Sequence, residues 1–233
     1  MVSKKPLRQR KKATFRRIRK AREPYDVVLI VCEGEKTEPN YLERLRDEFR
    51  INSANIKVLG KGLDPLSIVG NALKLYELDK SYDRIYCVFD RDQHSTYERA
   101  LLRVAELKQK GVPIFAITSV PCFEFWILLH FIDSAKPYIS TGKKSAADLL
   151  IVDLKKYCTQ YKKGESDFFD ELKPRRNKAI LRAKQINEQN KNTGSANPST
   201  QFHELVEYLM NLKEKNSPDS YSSIEIIKEL ENV

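Results

Sequence analysis

Two short stretches hold carboxylates whose types and spacing suit work on a phosphate. Glu33 and Glu38 stand in IVCEGEKTEPNY, and Asp90 and Asp92 stand in VFDRDQH. Glu33 ends the apolar, β-branched run Val27–Cys32, and Asp90 ends IYCVF. In an extended segment, residues two apart point the same way, so Asp90 and Asp92 converge while Arg91 points elsewhere. If both runs are strands of one parallel sheet, these acids meet at its carboxyl edge, where open sheets bind ligands. Glu38 would join them from the first turn of the next helix. Such a cluster repels itself unless a cation neutralises it. Mg²⁺, or Mn²⁺ in its place, suits hard oxygen ligands and is commonly held by one or two carboxylates plus substrate phosphates. A divalent ion there polarises a phosphodiester and activates water. Taken singly, each acid has a plainer reading: Glu33 as a helix cap or a lysine's partner, Asp90 and Asp92 as turn residues.

Several other residues fall near the same edge. Lys61 in GKGLDP can hold a phosphate or stabilise developing charge, or be a surface lysine. Glu124 in PCFEFW can reach the rim from the exit of a later strand, or be a helix-start glutamate favoured by the dipole. His94 is a proton shuttle or a turn residue. His130 lies in an apolar helix and reads as structural, and the aromatic residues around Trp126 read as core rather than a base-stacking platform. The histidines and cysteines offer no zinc spacing. A Walker lysine, a GxGxxG loop and a Ser or Cys nucleophile motif are also missing.

The elements that must position these residues alternate. Strands are expected at Asp26–Cys32, Ile56–Gly60, Arg84–Phe89 and Pro113–Thr118. Between and after them, helices are expected at Pro39–Phe49, from Asp64-Pro65, over 95–110 and at Phe123–Phe131. Thr37 is a candidate cap for the first helix. This β-α-β-α-β-α-β order implies a parallel sheet covered on both faces. Beyond Pro137 strands give way to helices over 144–158, 177–190, 200–214 and 222–230, with loops at 164–173 and 192–198. Asn197-Pro198-Ser199-Thr200 reads as a cap. The division is a basic arm over 1–24, an α/β core over 25–135 and a helical part over 136–233.

The chain's 233 residues, 41% apolar and 32% charged, suit one domain with an appendage. Its net charge of +10 is concentrated at the start. Eleven of the 42 basic residues lie within positions 1–22, leaving 31 against 32 acids elsewhere. Such an arm attracts polyanions by counterion release, or serves as a solvated tail. Arg8, Arg10, Arg16, Arg17 and Arg19 are its candidate phosphate contacts. Arg175, Arg176 and Lys178 in KPRRNKAILRAKQ are a second set, which with the arm could grip nucleic acid on either side of the acidic rim, or form a solvated helix face. The apolar runs are too short to span a bilayer and the start lacks a signal-peptide core, so a cytoplasmic chain without a membrane partner is expected. Four separated cysteines read as buried thiols.

Glu33-Gly34 and Asp90-Arg91-Asp92 resemble the acidic signatures of a Toprim domain. In that family a glutamate follows the first strand and a DxD follows the third. Over nearly the whole chain, Arg16-Arg17-Ile18-Arg19, IVCEGEKTEPNY, VFDRDQH, SVPCFEFWILLHF and NPST from Asn197 resemble RloB-like proteins. The EGxxTE form is similar to the Toprim nuclease domains of the OLD family. The resemblance implies an α/β, Toprim-like Rossmannoid fold: a four-stranded, largely parallel sheet with helices on both faces, plus C-terminal helices. It also implies Mg²⁺-dependent nuclease activity on DNA or RNA in antiphage or restriction-associated defence, alongside a defence-system partner protein. Carried over, Glu33 would be a general acid/base or ligand, and Asp90, Asp92 and Glu38 metal ligands, with Glu124 a further one. The alternatives are a non-catalytic nucleic-acid- or partner-binding subunit on this scaffold, and a primer- or nucleotide-synthesising enzyme.

Overall fold

The computed structural model describes residues 26–53, 56–91, 95–165 and 167–215. The basic arm, Asp92, His94 and the expected helix over 222–230 lie outside the described residues. The first half reads β1 (Val28–Cys32), α1 (Thr37–Glu48), β2 (Ile56–Gly60), α2 (Pro65–Leu78), β3 (Arg84–Asp90), α3 (Tyr97–Gln109) and β4 (Ile114–Val120). The second half reads α4 (Glu124–Leu128), α5 (Ala146–Leu154), α6 (Phe169–Leu172), α7 (Arg176–Thr193), β5 (Ser199–Thr200) and α8 (Phe202–Lys215).

The sheet runs β2-β1-β3-β4-β5, with β1 to β4 parallel. The expected four-stranded sheet thus gains a short fifth strand: Ser199 and Thr200 pair antiparallel with Val120 and Ser119. The expectation that strands stop at Pro137 fails here, because two residues carry no alternation to read.

β1 is buried over its whole length because it is central and covered on both sides. Val28, Ile30 and Cys32 pack with α1, α4 and the C-terminal helices, while Leu29 and Val31 pack with α2 and α3. That alternation is the period of two of a strand between two helical layers. Helix α2 starts where Asp64 accepts hydrogen bonds from the Leu66 and Ser67 N–H groups, with Pro65 at its first position. Thr37 is not the expected cap of α1: it is the first helical residue, and its Oγ1 accepts from Gly164 N instead. The apolar helix expected at Phe123–Phe131 is regular only over α4. His130 N and Phe131 N then bond three residues back, tightening its end. Part of the expected 164–173 loop forms α6. All four cysteines are buried and free. Among the described residues no helix is long and apolar enough to cross a membrane.

Candidate active site

From β1 the chain turns to β2 on one side, then to β3 on the other. The carboxyl ends of β1 and β3 therefore flank a topological switch point. Glu33 and Asp90 emerge there. Glu33 Oε2 accepts from the Asp90 N–H at 3.0 Å, and Asp90 Oδ2 accepts from the Phe123 N–H at 3.1 Å. These bonds tie the exits of β1, β3 and β4 together.

Two glycines permit this close geometry. A Cβ on Gly34 would stand 2.7 Å from Cδ of Glu38, whose carboxylate folds back over the loop. A Cβ on Gly60 would stand 2.6 Å from the Glu35 carbonyl oxygen. The loop from β1 to α1 thus rests directly on the end of β2.

Glu33, Glu38, Asp90 and Glu124 line one cavity of about 440 Å³. Glu124 is buried at the start of α4, and its Oε1 accepts from Tyr161 OH at 2.6 Å. The rim reading of Glu124 therefore holds in position. Arg91 turns away to Glu98 and the Tyr97 ring, as the period of two requires.

The cavity is short of positive charge. Burial, with Glu38 and Glu124 nearby, pushes Asp90 well above the usual carboxylate range, although the Phe123 N–H opposes it. Burial pushes Glu38 up to about 7, assisted by Glu124 and Glu33 and opposed by Lys163. Lys36 and Lys163 line the same cavity, both on its exposed lip. Burial works against the Lys163 charge, but Glu124, Cys122, Glu38 and Asp90 together raise its ammonium above the ordinary value.

Lys163 lies outside the acidic motifs, in a weak basic cluster with Lys155, Lys156 and Lys162. It follows Tyr161 in a loop held against α1 by Gly164, whose N–H donates to Thr37 Oγ1 at 3.0 Å and whose carbonyl accepts from Asn40 Nδ2 at 2.9 Å. Its sequence signal was faint, four lysines around Tyr157 and Tyr161 with no periodicity. The C-terminal part thereby completes a rim whose other members come from the exits of β1 and β3 and the starts of α1 and α4.

Other expected residues stand elsewhere. Lys61 sits at the carboxyl end of β2, with its N–H donating to Cys32 O, but does not line the acidic cavity. Arg176 is not available to phosphate. It is buried, forks onto both oxygens of Glu48, and lies over the rings of Phe49 and Phe169. Arg175 bonds Glu171 and covers Phe131, while Lys178 is exposed. This basic group adjoins Glu48, at the far end of α1 from Glu38, about 15 Å away at the helical rise. It cannot grip the same phosphate as the acidic rim. His130 is structural: Nδ1 donates to Trp126 O at 2.9 Å, and burial lowers its pKa to about 3.

A metal fits this site in donor type and charge, since hard oxygens and uncompensated negative charge favour a divalent cation. Among the described residues, no three His, Cys, Asp or Glu side chains gather closely enough to hold an ion by themselves. Water and substrate oxygens would complete the shell, the usual habit of Mg²⁺.

The fold and the cavity define an α/β protein with a Rossmann-like sheet and a carboxylate-lined cleft at its switch point. A family model for RloB-like proteins matches residues 28–209, from β1 into α8, and the chain belongs to that family. A search of curated proteins finds no match to it.

Proposed function

We propose that this chain is a Mg²⁺-dependent nuclease that hydrolyses phosphodiesters of DNA or RNA. The observation that carries the reading is the meeting of Glu33, Glu38, Asp90 and Glu124 with Lys163 in one cavity at the switch point. Asp90 and Glu38 would hold the metal, with Asp92 the further ligand that the resemblance implies. When bound, the ion would supply Lewis acidity to the phosphodiester and a more acidic water. Glu33, tied to the Asp90 backbone, would take a proton from the attacking water. Lys163 places positive charge against the phosphate oxygens as charge develops there. Tyr161 holds Glu124 in orientation. A cytoplasmic role in antiphage or restriction-associated defence, with a partner protein, rests on the resemblance in motifs.

The second reading is a nucleic-acid- or partner-binding subunit without catalysis. It is favoured by the lack of three gathered ligands among the described residues. The two separate on a cleavage panel of plasmid, single-stranded DNA, total RNA and tRNA in Mg²⁺, Mn²⁺ or EDTA. Metal-dependent cleavage lost in both Glu33→Ala and Asp90→Ala establishes the nuclease and its substrate. Salt-sensitive binding without cleavage in wild type and both variants supports the binding subunit.

A further inference from the structure

Strand β5 covers only Ser119 and Val120 of β4 and leaves the rest of that strand as an edge. In a parallel ladder every second residue bonds to the neighbouring strand. Pro113 O accepts from the Ile85 N–H and Ser119 O from the Arg91 N–H, both at 2.8 Å, so Pro113, Phe115, Ile117 and Ser119 face β3. Ile114, Ala116 and Thr118 therefore aim their backbone groups outward. Thr118 is satisfied by Gln201: its N–H donates to Gln201 Oε1 and its carbonyl accepts from the Gln201 N–H. The Ile114 N–H turns back to Val112 O at 2.8 Å. The Ile114 carbonyl, and both the N–H and the carbonyl of Ala116, have no partner among the described residues. Such a row is a template for an added strand.

A cavity of about 340 Å³ runs along this edge, between Ile114, Ala116 and Ile117 of β4 and side chains of α3 and α8. Two cations line it. Arg84, at the start of β3, lies over the rings of Phe115 at 5.2 Å and Tyr208 at 4.5 Å, and its Nη1 donates to Tyr86 OH at 3.3 Å. Lys108, from the last turn of α3, lies over the same Phe115 ring at 4.8 Å. Both charges thus stand against one ring of β4. Arg103 on α3 pairs with Glu106 at 2.9 Å, but neither Arg84 nor Lys108 has a carboxylate within ion-pair distance among the described residues. Asp26 acts on Arg84 through space, while its Oδ2 accepts from Tyr208 OH at 2.6 Å. Glu204 also lines the cavity; burial and then Glu207 raise its pKa, against Lys191. The lining carries more positive than negative charge.

We propose that the β4 edge is a docking site for an extended acidic segment of a partner protein. The segment adds a strand beside Ile114–Ile117 and lays its carboxylates against Arg84 and Lys108. In the antiparallel sense, the residue opposite Ala116 exchanges both backbone bonds with it. A second copy of this chain does not suit, since two such edges would bring like charges together. Nucleic acid would answer the charges but offers no strand for the Ala116 backbone groups. The edge shares no lining residue with the acidic cavity, so this inference stands apart from the nuclease reading.

The test is binding of fluorescein-labelled heptapeptides to the full chain in EDTA, with amide hydrogen exchange read at Ala116. One peptide alternates glutamate and valine, a second has the same sequence with every backbone nitrogen methylated, and a third has lysine for glutamate. The acidic peptide is expected to bind saturably and to slow Ala116 exchange by about tenfold. The methylated peptide should bind about tenfold more weakly, the worth of one or two net backbone hydrogen bonds. Lys108→Gln should weaken the acidic peptide about threefold, the worth of one exposed ion pair, with an unchanged thermal melt. The lysine peptide should bind more weakly still. The proposal is overturned by no saturable binding of the acidic peptide, by equal binding of its methylated or lysine form, by wild-type affinity in Lys108→Gln, or by an Ala116 amide that the peptide does not protect. Protection of Ala116 by a single-stranded oligonucleotide instead of the peptide would assign the edge to nucleic acid and also overturn it.

Discussion

Replacing Glu38 by glutamine stabilises the metal-free protein at pH 8 and has little effect near pH 4. Burial of Glu38 raises its pKa from 4.5 to about 7, with Glu124 and Glu33 adding to the rise. Between those values the folded state holds a proton that the unfolded state has released. Stability from this group is complete below about pH 4.5 and falls as pH rises through about 7. At about 1.4 kcal/mol per unit, the loss reaches a ceiling of about 3 kcal/mol. Glutamine keeps the shape without the charge, so the variant escapes that loss. The assay is denaturant unfolding of both proteins in EDTA from pH 4 to 8.5. The stability gap should open with pH and level off above about 7, with a rise in Tm of roughly 2–4 °C per kcal/mol. Mg²⁺ should narrow the gap at pH 8 by neutralising the wild-type cavity. A gap that is flat across pH, or a wild type more stable than the variant at pH 8, refutes the assignment of Glu38 to a charge-starved cavity.

Tyr161→Phe removes the donor to Glu124 and leaves a buried carboxylate less satisfied. It should cost about 1–3 kcal/mol by chemical unfolding and lower cleavage. Arg176→Ala breaks a buried fork onto Glu48 and should destabilise by about 3–5 kcal/mol, while the salt slope of nucleic-acid binding stays unchanged. Gly60→Ala drives a methyl against the Glu35 and Gly34 carbonyls. It should cost about 1–3 kcal/mol in a thermal or urea melt and reduce cleavage more than nucleic-acid binding, because the shifted loop carries Glu33.

Much of the frame was legible in the sequence because it rests on local pattern. The Ile56–Gly60 strand matches its expected bounds, and IVCEG and VFD place Glu33 and Asp90 at neighbouring strand exits. What escaped depends on long-range contacts. β5 is too short to show alternation and is held by a partner about 80 positions earlier in the chain. Tyr161 and Lys163 sit in a loop whose place is set by Thr37, Asn40 and Glu124, far away in sequence. Arg176 was legible but misread. Arg176, Ala179, Ile180 and Ala183 follow the helical period and are all buried, so the pattern marked an inward arginine inside a basic cluster.

The most direct measurement compares binding and cleavage in one variant, Asp90→Asn, on the substrate that wild type cuts in Mg²⁺. Loss of a negative charge beside the phosphate should leave nucleic-acid affinity equal or higher, while cleavage falls to the level seen in EDTA. Cleavage by Asp90→Asn at the wild-type rate, with unchanged metal dependence, would contradict the placement of the chemistry in this cavity.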